Sequence, residues 1–135
     1  MERSNEEIDT NILVRMVLGD RPDIENDLQK LLEREGVEYY VDDMAISELV
    51  YVLEKNYKFS RAMLADEIDI LMEANSNFLV NKIVKKVLAI YVTHPKLSFN
   101  DCYLVARTEE RGNYPLWTLD HKLATQCEVA KELGR

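Results

Sequence analysis

Four acidic side chains, Asp9, Glu48, Asp101 and Asp120, sit in apolar company. Helical spacing gives Glu48 the neighbours Met44, Ala45, Tyr51 and Val52, and the opposite face of the same segment carries Ile46, Leu49, Val50 and Leu53. A helix apolar on every side is usually buried. A lone carboxylate buried there costs several kcal/mol unless it is protonated, paired or bound to metal. Asp101 has the helical neighbours Leu97, Ser98, Leu104 and Val105. Asp120 follows directly on the largely apolar Leu116-Trp-Thr-Leu119, and Asp9 stands at the entrance to an apolar helix. Singly, Asp9 and Asp120 are good helix N-caps, and Glu48 or Asp101 could pair with Arg or Lys. Together, several converging carboxylates with no cation between them repel, so a hard divalent ion such as Mg²⁺ or Mn²⁺ is their natural occupant.

The elements that must position these acids are legible from period and punctuation. A helix is predicted from about Asn11 through Val17, closed by Gly19, with Pro22 opening a second one that carries Ile24, Leu28, Leu31 and Leu32 and stops at Gly36. Val37-Glu-Tyr-Tyr-Val41 reads as a strand, and Met44 to Lys55 returns to a helical period. Ser60 begins a helix that Asn75-Ser-Asn77 breaks, and Phe78-Leu-Val80 reads as a short strand. Two further helices follow, one ending before His94-Pro95 and one from Phe99 to Arg111 that Gly112 terminates. Pro115 to Leu119 reads as a strand leading into a last helix. Strands separated by helices predict an α/β fold with a mainly parallel sheet covered on both faces, in which sites collect at the carboxyl ends of strands.

Length and composition narrow the possibilities. With 135 residues, 47% hydrophobic, the chain suits a single domain, residues 1–135, with a core that needs no metal or disulfide staple. Its longest apolar run, Val87-Leu-Ala-Ile-Tyr-Val92, is far short of the roughly 20 residues of a membrane helix. The acidic start Met1-Glu-Arg-Ser-Asn-Glu-Glu lacks the apolar stretch of a secretory signal, which places the protein in the cytoplasm. Cys102 and Cys127 have neither C-x-x-C nor zinc-site spacing, so two reduced thiols are expected. A net charge of −8 argues against wholesale electrostatic attraction to nucleic acid or anionic lipid, although it leaves room for a local basic groove. The motifs of serine hydrolases, P-loop NTPases and Rossmann cofactor sites are absent from the sequence.

Four blocks in order, Asp9-Thr-Asn-Ile-Leu-Val-Arg15, Ser47-Glu-Leu-Val-Tyr-Val-Leu-Glu54, Phe99-Asn-Asp-Cys-Tyr-Leu-Val-Ala106 and Leu116-Trp-Thr-Leu-Asp-His-Lys-Leu123, resemble the PIN-domain nucleases, and among them the VapC-like toxins of type II toxin–antitoxin pairs. The resemblance runs from about Ile8 to Ala124. It implies a three-layer α/β/α domain with a five-stranded parallel sheet, one or two Mg²⁺ or Mn²⁺ ions, and endonucleolytic cleavage of RNA. It makes Asp9, Glu48, Asp101 and Asp120 the catalytic and metal-binding acids, with Thr118 and Asn11 supporting them. It also implies a homodimer and a small antitoxin protein as partner. The first strand of that fold is normally apolar and central, whereas Ser4-Asn-Glu-Glu-Ile8 offers one apolar residue. A final strand has only Cys127, Val129 and Ala130 to draw on, so it is expected to be edge-like or missing.

An RNA substrate needs cations despite the net charge. Arg15 is the candidate nearest the first acid, and Lys55, Lys58, Arg61, Lys82, Lys85 and Lys86 are others that a solvated helix face explains equally well. His121 could touch a phosphate, while His94 reads as loop. Tyr39, Tyr40, Tyr51, Tyr57 and Trp117 have spacing that favours core or dimer contacts over base stacking. The leading functional reading is a metal-dependent endoribonuclease toxin. The alternatives are a non-catalytic binding or regulatory module on the same fold, and a ribonuclease of RNA processing that works without an antitoxin.

Overall fold

A computed structural model describes residues 4–134. The chain forms two compact units, one ending at Asn81 and the other beginning at Lys82. Both combine helices with parallel strands, the α/β class that the alternation predicts.

In the first unit, β1 (Ser4–Glu7), β2 (Val37–Val41) and β3 (Phe78–Val80) make a parallel sheet in the order β1-β2-β3. Parallel neighbours need a crossover. Helices α1 (Thr10–Leu18) and α2 (Pro22–Leu32) supply the first, and α3 (Asp43–Asn56) and α4 (Arg61–Ala74) the second. The core gathers the inward faces of these elements: Leu13 and Val14 of α1, Tyr39 and Val41 of β2, Ile46, Leu49, Val50 and Leu53 of α3, and Leu64 and Ile68 of α4. Gly19 closes α1 in the left-handed region at φ +59°, where its N–H reaches the Arg15 carbonyl at 2.8 Å. A side chain at that φ costs roughly 1 kcal/mol, which is why the helix stops at glycine.

The polar first strand exists, but it is an edge strand of its sheet rather than a central one. Backbone bonds hold it, including Ser4 N to Gly36 O at 2.9 Å and Ile8 N to Tyr40 O at 3.0 Å, so apolar side chains are not required. Ser4, Asn5 and Glu7 are exposed, and Glu6 takes both guanidinium nitrogens of Arg34 at 2.7 and 3.0 Å.

The second unit contains α5 (Ile83–Thr93), α6 (Phe99–Arg111), α7 (His121–Gln126) and the paired strands β4 (Leu116–Thr118) and β5 (Ala130–Glu132). Helices α5 and α6 pack on each other, with Tyr91 and Phe99 in an edge-to-face contact 5.5 Å apart. Cys102 and Cys127 are both buried and free, as expected of reduced thiols. The final strand is present but only three residues long. Among the described residues the expected five parallel strands are found, three paired in the first unit and two in the second. Among the described residues no helix is long and apolar enough to cross a membrane.

Candidate active site

Three of the four acids occupy the N-terminal ends of helices. Asp9 is the N-cap of α1, its Oδ1 accepting from the Thr10 N–H at 2.9 Å. Asp120 is the N-cap of α7, its Oδ1 accepting from Lys122 N at 2.9 Å and Leu123 N at 3.4 Å. Asp101 lies in the first turn of α6, where its N–H donates to the Oγ of the N-cap Ser98 at 3.1 Å. The positive end of each helix dipole favours a carboxylate there, by about 0.3–1 kcal/mol at exposed sites. The N-cap role weighed for Asp9 and Asp120 is therefore real. It engages only Oδ1, and the Oδ2 of each accepts no hydrogen bond among the described residues.

Glu48 differs from expectation. The buried arc of α3 is Ala45, Ile46, Leu49, Val50 and Leu53, while Met44 is 71% exposed, Tyr51 is 64% exposed and Glu48 itself faces outward with them. The helix is amphipathic, so no burial penalty forces a partner on this acid. What holds it is Thr10, only 7% exposed, whose Oγ1 donates to Glu48 Oε2 at 3.0 Å. Thr10 is thus bonded through its side chain to Glu48 and through its backbone to Asp9. Sequence analysis gave it no functional part, although it is the middle residue of the Asp9-Thr-Asn block.

In the second unit Thr118 plays a comparable part, its Oγ1 accepting from the Asp120 N–H at 2.9 Å and so fixing the turn that presents the acid. Asn11 is exposed on the first turn of α1. Arg15 is already engaged: Nη1 meets Asp20 at 2.7 Å and Nη2 meets the Tyr57 hydroxyl at 3.5 Å. Tyr57 and Asp20 raise its pKa above the ordinary arginine value. It lines a cavity of about 660 Å³ with Met16, Arg21, Leu28, Leu32 and Arg34, and none of the four acids borders that cavity. His121 Nδ1 donates to the Glu132 carboxylate of β5 at 2.7 Å. Burial pushes the Cys127 thiol up, and the nearby Glu109 and Asp101 carboxylates add to it, which makes this thiol a poor nucleophile.

The donor chemistry of the four acids suits a hard divalent cation: all are carboxylates, and none forms an ion pair among the described residues. Among the described residues no three His, Cys, Asp or Glu side chains make a ready-built group for a metal ion. The acids therefore fit such an ion in type, without a preassembled cage.

No individual curated protein gives a match to the chain. Among protein families, the PIN domain matches residues 7–129, which takes in all four acids, Thr10 and Thr118 and agrees with the parallel α/β architecture. The chain therefore belongs to the PIN domain family, whose members are in general nucleases.

Proposed function

We infer that this nuclease is a metal-dependent endoribonuclease acting as the VapC-like toxin of a toxin–antitoxin pair, with the whole chain working as one PIN-like domain. Asp9, Glu48, Asp101 and Asp120 are the acids that hold Mg²⁺ or Mn²⁺ and one of them takes a proton from the attacking water. The observation that carries this reading is the set of four carboxylates without cationic partners among the described residues, three at helix N-termini and the fourth tethered by Thr10. The bound cation supplies an acidified water and neutralises charge on the phosphodiester. The protein's own residues do the positioning. Thr10 orients Glu48 next to Asp9, and Thr118 sets the backbone that presents Asp120. RNA as substrate, a homodimer and an antitoxin partner follow from the resemblance.

The test is a thermal melt with and without millimolar Mn²⁺ on wild type and Asp101→Asn, together with RNA cleavage. A ligand that binds only the folded state at 100 times its Kd adds about 2.7 kcal/mol. Wild type should gain a rise of several degrees that the variant loses along with cleavage. Absence of both the shift and cleavage in wild type would sink the reading. The exposed Asp9 at the end of a polar edge strand favours the second reading, a non-catalytic module on the same fold, and that outcome would select it.

A further inference from the structure

The single tryptophan of the chain, Trp117, is expected from its spacing to be a core or dimer residue, yet it is 55% exposed in β4. Strand alternation gives the reason: Leu116 and Thr118 are half-buried, and the residue between them points the other way. Its register partner on β5 is Lys131, whose Nζ stands 5.3 Å from the centre of the indole ring. Leu119, 79% exposed, follows two residues on, and Asp120 comes next. Three residues of extended chain span at most about 10 Å, so the indole lies within roughly one or two nucleotides of that acid.

With an ammonium over one face, the exposed indole has its other face for a base, so the pair meets the two demands of an unpaired nucleotide, a surface for the base and a cation for the phosphate. A protein partner could also cover an exposed indole, but lysine is depleted at protein interfaces. In a chain of net charge −8, a cation placed on the ring favours a ligand that brings phosphate. We propose that Trp117 and Lys131 form a stacking platform for a base of single-stranded RNA beside Asp120. This substrate-positioning site rests on the nuclease reading above.

The indole reports on itself, because no other tryptophan contributes to its emission. Wild type in Ca²⁺ is titrated with an unstructured oligoribonucleotide of about 12 nucleotides, following tryptophan emission and, in parallel, the anisotropy of the end-labelled RNA. Quenching with the same midpoint as the anisotropy is expected. Trp117→Ala should weaken binding roughly 5- to 100-fold with an unchanged circular dichroism spectrum, and Trp117→Phe should weaken it less. Binding by anisotropy with unmoved emission and an unaffected Trp117→Ala would overturn the platform and leave the nuclease reading standing. Equal affinity for a duplex, or emission that changes with protein concentration alone, would overturn it in favour of groove contacts or self-association. No binding of RNA by wild type would remove the platform, and wild-type cleavage assayed separately would then decide the nuclease reading.

Discussion

One buried hydroxyl joins the two acids of the first unit. Thr10 donates its backbone N–H to Asp9 and its Oγ1 hydroxyl to Glu48, so it controls where an otherwise exposed glutamate points. Thr10→Val keeps the shape and removes the donor, at a cost of about 1 kcal/mol in stability. The larger effect should be on chemistry, since an untethered Glu48 samples unproductive rotamers: cleavage is expected to fall by about 10-fold or more, with Thr10→Ser close to wild type. Cleavage by Thr10→Val at the wild-type rate would show that the hydroxyl has no positioning role. Nothing in the side-chain types around Glu48 disclosed this tether. Apolar neighbours at i±3 and i±4 say that a face is hydrophobic, and only tertiary packing says that Met44 and Tyr51 stay uncovered.

Among the elements, β1 is the most unusual, because it owes its place to backbone bonding and to one ion pair. The Arg34 guanidinium, by hydrogen bonding to Glu6 and by its charge, holds that carboxyl below its ordinary value against the opposing effect of desolvation. A depressed carboxylate pKa contributes stability that is fully present above the unfolded value and is lost as pH falls through the folded one. The difference in melting temperature between wild type and Glu6→Gln should therefore be present at neutral pH and shrink below about pH 4. A difference independent of pH would mean that the pair does not tether the strand. The helices were more legible than the strands. Gly112 ends α6 as its capping chemistry predicts, and Asn75-Ser-Asn77 does end α4. Strand placement was less so, since Ser4–Glu7 carries no pattern that separates an edge from a centre, and three-residue strands such as β4 and β5 have too few positions to show alternation.

At the scale of the whole molecule, charge governs how RNA is met. With 17 basic against 25 acidic residues, and with Arg15, Arg21 and Arg34 paired to Asp20, Asp23 and Glu6, phosphate is met against an acidic background rather than along a basic track. Each phosphate contacted on a single strand adds about −0.7 to the slope of log K against log salt, so a shallow slope, no steeper than about −3, is expected. A slope near −7 would reveal a basic track not evident in these pairings. Of the two thiols, Cys102, fully buried, has a different use. Cys102 cannot meet an alkylating reagent until the structure around it opens, so the rate at which it becomes labelled is a clock for that opening, built into the chain without any added probe.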